Sequence, residues 1–386
     1  MTIARRAILI LTVAALFPFA LGADAASRTK EEIWQEIEPL FDPGAFEGEF
    51  GDYRSPLTFE DGSRVETPEE WEARRAEIRE VWTDILGPWP DIIKDPEIEY
   101  LEETDEDDFV HHRIRFDHLP GEPAEANLLI PHGIEEPRPA VLTVFYDPDT
   151  AIGEGREYRD FALQLTKRGF VTLSIGYERG LENGTYSPYY PSKEDAQLQP
   201  LSALAYAAAN AFHVLASRPE VDEDRIGITG HSYGGKWAMF ASCLYEPFAG
   251  AAWSDGGIVF DESRSNVNYW ENWYLGHVPG EWREPWTMPD EEHPRTGAYA
   301  RLIEEGRDLH ELHALMAPRP FLVSGGSEDP PKRWEALNHT VEVNRLLGYE
   351  NRVAMSNRST HSPTSESNEQ LCSFFEWALL HGAALE

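Results

Sequence analysis

Ser232 lies in the motif G-H-S-Y-G-G, between a short apolar run and a helix-prone stretch. Residues 226–229 have the character of a buried strand, and residues 236–240 have the character of a helix. A G-x-S-x-G turn between a strand and a helix pushes the serine hydroxyl into the open, and only small neighbours leave room for that turn. The motif therefore predicts that Ser232 is a catalytic nucleophile.

A serine hydroxyl is a poor nucleophile unless a base removes its proton. His361 is the candidate base, because it lies in a polar loop before the last predicted helix. That place suits the chain order serine, acid, histidine that is typical of α/β-hydrolases. His310, His313 and His381 are interpreted as structural or surface histidines.

The imidazole in turn needs a carboxylate that fixes its tautomer. Asp329 is the preferred candidate, since it follows the predicted strand 320–323. Its neighbour Glu328 stays open, because one residue of register decides which carboxylate faces the site. Asp255, just after the predicted strand 249–253, is a further alternative.

Negative charge that develops on a carbonyl oxygen requires hydrogen-bond donors. The backbone amide of Tyr233 is one candidate for this oxyanion hole. Tyr146 is the other, since it ends the predicted strand 140–146; Asp147 fits the same position.

The elements that would position these residues form an α/β pattern, with antiparallel strands first and alternating strands and helices afterwards. The predicted strands are 98–101, 110–116, 126–130, 140–146, 170–175, 225–229, 249–253 and 320–323, and the principal predicted helices are 30–40, 158–168, 201–217, 333–347 and 369–381. This order predicts an α/β-hydrolase fold, with a mostly parallel central sheet flanked by helices on both faces.

Three further segments complete the predicted organisation. Residues 26–95 are expected to form an N-terminal helical extension, which includes a helix that Thr67 caps and Pro68 begins. Residues 96–386 form the catalytic domain. Within it, residues 256–299 are a long, aromatic-rich insertion. Long loops inside compact domains are usually functional, so this insertion is interpreted as a lid over the substrate.

Residues 1–25 read as a secretory signal peptide, because Arg5 and Arg6 precede a short apolar run and a small-residue cleavage pattern. The expected location is secreted or periplasmic, without stable membrane insertion. The chain carries 69 acidic and 33 basic residues, for a formal charge of −36. Such a field repels nucleic acid, so no nucleic-acid partner is expected.

Cys243 and Cys372 are the two cysteines of the chain. They are expected on helices at opposite faces of the sheet, too far apart for a disulfide bond. No metal-binding spacing such as H-E-x-x-H occurs, and the adjacent pair His111 and His112 would point to opposite sides of a strand. We therefore expect neither a metal nor a cofactor.

Three stretches resemble secreted carbohydrate esterases of the α/β-hydrolase fold, especially glucuronoyl esterases and acetyl xylan esterases. They read L-G-P-W-P from residue 86, G-H-S-Y-G-G-K from residue 230, and L-H-E-L-H-A-L-M-A-P-R-P-F-L-V-S-G-G-S-E-D from residue 309. The resemblance covers the chain from about residue 69 onward. The glucuronoyl esterase motif resembles G-C-S-R-x-G-K, so Ser232, Gly235 and Lys236 match it. Tyr233 replaces the arginine that helps to hold the oxyanion in that family.

The resemblance implies a serine esterase acting on a carbohydrate ester, either a small molecule or a polysaccharide. It places Lys236 at the substrate. Trp270, Trp273 and Trp282 of the insertion could stack on sugar rings, although large aromatic residues are just as often packing residues.

Two other interpretations stay open. The motif formed by Ser232, Tyr233 and the paired glycines resembles the nucleophile motif of dienelactone hydrolases and of oligopeptidases. This resemblance favours a small-ester hydrolase or a compact serine peptidase. A non-catalytic binding protein on a hydrolase fold is the alternative from a different class.

Overall fold

The computed structural model describes residues 28–177, 187–264, 269–281 and 288–382. Within them, nine strands form one sheet in the order β1-β2-β3-β5-β4-β6-β7-β8-β9. The strands are β1 (Glu99–Asp105), β2 (Phe109–Leu119), β3 (Glu122–Pro131), β4 (Arg138–Phe145), β5 (Val171–Gly176), β6 (Val221–His231), β7 (Gly250–Ser254), β8 (Phe321–Gly325) and β9 (Val353–Asn357). The α-helices are α1 (Lys30–Ile37), α2 (Pro68–Leu86), α3 (Phe161–Thr166), α4 (Pro200–Ala216), α5 (Tyr233–Leu244), α6 (Gly297–Glu304), α7 (His310–Ala314), α8 (Trp334–Leu346) and α9 (Ser365–Phe375).

The sheet changes from antiparallel to parallel along this order. β1, β2, β3 and β5 pair antiparallel. From β5 through β4 and β6 to β9, all pairs are parallel. The carboxyl ends of the parallel strands therefore meet at one edge, where open α/β sheets bind ligands. The predicted α/β-hydrolase fold is confirmed.

Alternate residues of the buried strands supply two separate cores. In β4, Leu142 and Val144 join the core that α2, α4 and α5 cover, whereas Val141 and Phe145 join the core beneath α1, α3 and α9. Side chains of a strand point alternately to its two faces, so a continuous apolar run buries both faces of the sheet.

Helix α2 begins and ends where its sequence predicts. Thr67 and Glu70 form a capping box, and Gly87 follows the last turn with a φ of 90°. The apolar stripe of this helix is interrupted by Arg74, which is fully buried. Its guanidinium donates to Glu60 at 2.7 Å and to Glu77 at 3.0 Å, so the interruption is a buried cation paired with two partly exposed carboxylates.

The boundaries differ from the prediction at two places that matter for the site. Helix α3 begins at Phe161 and not at residue 158, because Tyr158 has a φ of 65°, which a right-handed helix does not allow. The run around Val353 forms strand β9, which is not among the strands predicted from the sequence. The strand carries the chain to the loop of His361.

Both cysteines are free and buried, as predicted. Cys243 belongs to the core on one face of the sheet and Cys372 to the core on the other. Burial raises the pKa of each thiol to about 12. Among the described residues, no helix is long and apolar enough to cross a membrane. The proposed signal peptide lies outside the described residues.

Candidate active site

The turn between β6 and α5 holds Ser232 in a strained conformation. Its φ of 60° and ψ of −115° are rare for a residue with a side chain. A Cβ atom on Gly230 or Gly234 would collide with the backbone at the end of β4, at the carbonyl of Val144. The glycines therefore let the turn pack against the neighbouring strand, and Ser232 itself stays partly exposed.

Three side chains from different segments form a hydrogen-bonded chain at the carboxyl edge of the sheet. The Nε2 atom of His361 lies 2.8 Å from the Oγ atom of Ser232. Its Nδ1 atom lies 2.7 Å from the Oδ2 atom of Asp255. The side chain of Asp255 is fully buried, whereas that of His361 is 37% exposed. This is the arrangement of a nucleophile, a base and an orienting acid.

The structure thus places Asp255, and not Asp329, against His361, so the preferred assignment of the acid is corrected. Asp255 follows β7 with a φ of 49°, which aims its carboxylate at the loop of His361. The carboxylate of Asp329 instead accepts from the amides of Gly257 at 2.8 Å and Ile258 at 2.7 Å. Glu328 binds Arg264 at 2.7 Å.

Asp255 and Asp329 brace the loops that follow β7 and β8. The Oδ1 atom of Asp255 accepts from the amides of Glu328 at 3.1 Å and Asp329 at 2.9 Å, in the loop after β8. The carboxylate of Asp329 in turn accepts from two backbone amides in the loop after β7. Burial, together with the charge of Asp255, raises the pKa of Asp329 to about 6. Each carboxylate therefore fixes the backbone that carries the other.

Arg358 holds the loop of His361 against the strand ends. Its guanidinium donates to the carbonyl of His361 at 2.8 Å and to that of Ser324 at 2.8 Å. It also donates to the Oγ atom of Ser254 at 3.2 Å. Sequence reasoning did not single out this residue, because its role depends on three strand ends that meet only in the fold.

His231 supplies a neutral aromatic neighbour for His361. The two rings lie 4.7 Å apart, and the Nδ1 atom of His231 lies 3.2 Å from the Oγ atom of Ser254. Burial keeps the pKa of His231 well below its usual range. His231 therefore stays neutral beside the imidazole of His361.

Lys236 lies beneath the site and not at its surface, contrary to the role that the resemblance implied. Its side chain is buried, and the amine donates to the carbonyl of Gly256 and lies 4.5 Å from the ring centre of Tyr269. Burial lowers the pKa of Lys236 to about 8, against the opposing effect of Asp329. The contacts of its amine are with the protein interior.

The structure describes two of the three tryptophans that were proposed to stack on sugar rings. Trp270 is fully buried and Trp273 is 8% exposed, so neither presents an open ring face. The carbonyl of Trp273 accepts from the Oγ atom of Ser187, which lies 3.0 Å from the hydroxyl of Tyr233. As placed, both rings anchor the insertion to the body of the protein. Trp282 lies outside the described residues.

The two tyrosines considered for the oxyanion hole lie together beside Ser232. The rings of Tyr146 and Tyr233 stack with centres 4.6 Å apart and planes 12° apart. Tyr233 opens helix α5, and Tyr146 directly follows β4. The hydroxyl of Tyr233 contacts Ser187 in the interior, so only its amide is available to face a substrate.

The described residues hold no cluster of metal-ligating side chains.

Comparisons with known proteins find this architecture again. No family model matches the sequence, and no curated protein sequence matches it. Solved structures do match. A glucuronoyl esterase from Solibacter usitatus superposes with a TM-score of 0.66 at 18% identity, over 84% of this chain and 97% of that one. A promiscuous CE15 esterase from a marine bacterial metagenome gives a TM-score of 0.61 at 17% identity, over 87% and 99%. A Bacteroides fragilis protein provisionally identified as an acetyl xylan esterase gives a TM-score of 0.55 at 17% identity, over 80% of this chain and 79% of that one.

At this level of identity the likeness establishes a shared fold. The resemblance to glucuronoyl and acetyl xylan esterases is confirmed at that level.

Proposed function

We propose that this chain is a serine esterase that hydrolyses a carboxylic ester of a carbohydrate. The observation that carries the proposal is the chain of hydrogen bonds from Ser232 through His361 to Asp255, at 2.8 and 2.7 Å. The esterase fold of the structural neighbours supports the substrate class.

Each group has one task in the proposed reaction. His361 takes the proton of the Ser232 hydroxyl through Nε2 as the oxygen attacks the ester carbonyl. Asp255 accepts a hydrogen bond from the Nδ1–H group of the imidazole and stabilises the positive charge of the imidazolium. The alcohol leaves with a proton from His361, and water then releases the acid from the acyl-enzyme by the same proton transfers in reverse order.

The proposed oxyanion hole consists of the amides of Tyr233 and Tyr146. The amide of Tyr233 belongs to the first turn of α5, where the helix dipole favours negative charge. The packing of Gly234 against Val144 brings the end of β4, and with it Tyr146, next to this turn.

We further propose secretion by the N-terminal 25 residues, and a covering role for the insertion 256–299. The covering role would fall to backbone and to residues other than the buried Trp270 and Trp273.

The proposal is tested by the release of acid from a panel of acetyl, methyl-uronate, feruloyl and p-nitrophenyl esters. Ser232→Ala should lower turnover by about a thousandfold or more, because the three groups act as a unit. It should also abolish labelling by a fluorophosphonate. Ser365→Ala is the matched control, since that serine is exposed on the first turn of α9.

Undiminished turnover in Ser232→Ala would end the proposal. A wild-type protein that is folded, cleaves no ester and takes up no fluorophosphonate would favour the non-catalytic binding protein.

A further inference from the structure

Arg159 differs from every other partly buried arginine of the described residues. Each of those donates to a carboxylate or a carbonyl, or lies over an aromatic ring; Arg358, for example, donates to four carbonyls. The guanidinium of Arg159 makes no hydrogen bond or ion pair with any described residue, although the side chain is half-buried. Burial lowers the pKa of Arg159, but the group stays charged at any ordinary pH. An unpaired, partly desolvated cation is unexpected in a chain with 69 acidic residues.

The backbone before Arg159 is held in a strained conformation. Tyr158 has a φ of 65°, and its carbonyl accepts from the side-chain amide of Asn368 at 3.0 Å. Asn368 lies in the first turns of α9, the helix that follows the loop of His361. The segment that carries Arg159 is therefore tied to the segment that carries the proposed base. Strain of this kind persists where the surrounding structure enforces it, often at a functional site.

The charge of Arg159 acts on the residues that flank the nucleophile. It is among the causes that lower the pKa of His231, which precedes Ser232. Tyr146, whose ring stacks on Tyr233, is among the groups that act on the pKa of Arg159. Arg159 lies in the segment between the end of β4 and the start of α3, and this segment leaves the sheet at the carboxyl edge of β4.

We propose that Arg159 binds an ionised acidic group of the substrate, so that the enzyme prefers esters that carry a second, free carboxylate. The inference rests on the proposed esterase function and names its substrate class more closely. A guanidinium presents planar, paired donors that match a carboxylate, and such charge-assisted bonds are stronger than neutral ones. The acidic surface would repel an anionic substrate, and a cation at the carboxyl edge of the sheet would offset that repulsion locally.

Two matched pairs of esters test the proposal, one for each side of the ester bond. On the acyl side, mono-4-nitrophenyl adipate is compared with 4-nitrophenyl hexanoate, which has a methyl group where adipate has its carboxylate. On the alcohol side, 4-carboxyphenyl acetate is compared with 4-(methoxycarbonyl)phenyl acetate. The quantity measured is the ratio of kcat/KM for the anionic ester to that for the neutral ester.

In the wild type, at least one pair should show a ratio above one, falling as NaCl is added. Arg159→Gln should lower that ratio by about tenfold or more, the effect of losing a hydrogen bond between charged groups. Arg159→Lys should give an intermediate ratio. Arg156→Gln is the control, because it removes one exposed charge from the same loop and should leave the ratio nearly unchanged.

Three results would overturn the proposal: no preference for either anionic ester in the wild type, an unchanged ratio in Arg159→Gln, or equal losses in Arg159→Gln on charged and neutral esters. The last would assign Arg159 to the common reaction or to the fold. All three leave the esterase function standing, since that depends on Ser232→Ala.

Discussion

Asp255 and Asp329 are both buried, yet they serve different partners. Asp255 joins the imidazole of His361 to the amides of the loop after β8, whereas Asp329 contacts backbone amides and lies 3.7 Å from the Nε atom of Arg333. The first carboxylate can therefore act on the reaction directly. The second acts on the shape of the loops.

This difference predicts that conservative replacements of the two residues lower different quantities, kcat for Asp255 and the free energy of unfolding for Asp329. Asp255→Asn should lower kcat by about ten-thousandfold, because the imidazole loses the acceptor that fixes its tautomer. Asp329→Asn should lower the free energy of unfolding by roughly 1 to 3 kcal/mol, because a buried amide donor loses its acceptor. Ester turnover and urea unfolding measure the two effects. A larger loss of kcat in Asp329→Asn than in Asp255→Asn would return the acid to Asp329.

Asp308 provides a test of pH dependence. Its Oδ1 atom accepts from the amides of Phe260 at 3.0 Å and Leu309 at 2.6 Å, and burial raises its pKa to about 7. A carboxyl group whose pKa is raised in the folded state binds more protons there than in the unfolded chain. Its contribution to stability is therefore present below the unfolded pKa and is lost as the pH rises through about 7.

Between pH 5 and pH 8, the free energy of unfolding should accordingly fall less in Asp308→Asn than in the wild type. The difference between the two falls should be roughly 1 kcal/mol. Urea unfolding at the two pH values measures this, with Asp52→Asn as the control, since Asp52 is exposed. Equal pH dependence in the wild type and in Asp308→Asn would show that Asp308 titrates normally.

The contact between Ser232 and His361 could be predicted, because the residue types and the neighbouring motifs mark both as candidates for one site. The acid could not, since three carboxylates follow two adjacent strands and chain order alone does not show where each points. Asp255 faces His361 from a backbone with a positive φ, and no residue pattern in the sequence predicts that angle. The burial of Lys236, Trp270 and Trp273 could not be predicted for a similar reason, because residue type does not distinguish a ring or amine at a surface from one beneath it.

At the scale of elements, the segment before the sheet is joined to the body by a network of charges. Glu60 accepts from Arg54 at 3.0 Å and Arg74 at 2.7 Å in its own segment, and from Arg307 at 3.0 Å in the loop before α7. Burial opposes ionisation of Glu60, but the hydrogen bonds from the three arginines outweigh it and hold its pKa at about 2.

Glu60→Gln should therefore lower the free energy of unfolding by roughly 1 to 3 kcal/mol at pH 7, since it leaves buried Arg74 with one carboxylate fewer. The depressed pKa makes this contribution present above the unfolded pKa and lost as the pH falls toward 2. Urea unfolding at pH 7 and pH 3 should show a smaller difference between variant and wild type at the lower pH. Glu66→Gln, at an exposed position, is the control, and equal effects of the two changes would contradict the network.

The elements themselves were largely predictable. The strands of the parallel sheet are buried on both faces, so each reads as an apolar run, and capping residues mark the ends of α2. Strand β9 was not predicted, because its five residues include the polar residues Ser356 and Asn357. The start of α3 was misplaced because Tyr158 adopts a backbone conformation that its residue type does not favour.

At the scale of the whole molecule, the formal charge of −36 dominates. Like charges at this density repel one another more in the compact state than in the expanded chain. We expect the melting temperature to rise when NaCl is added from low concentration to about 1 M, where the screening length is about 3 Å. Thermal unfolding followed by circular dichroism measures this. Equal shifts with KCl would assign the effect to screening, and a melting temperature that falls with either salt would contradict it.

The separation of the two buried thiols by the sheet has a practical consequence. Neither Cys243 nor Cys372 can pair with the other or reach a second molecule while the chain is folded. No oxidant and no disulfide isomerase is needed for the native state to form. The protein should therefore fold equally well in a reducing cytoplasm and in an oxidising compartment, and a host cell that makes it needs only to supply the polypeptide.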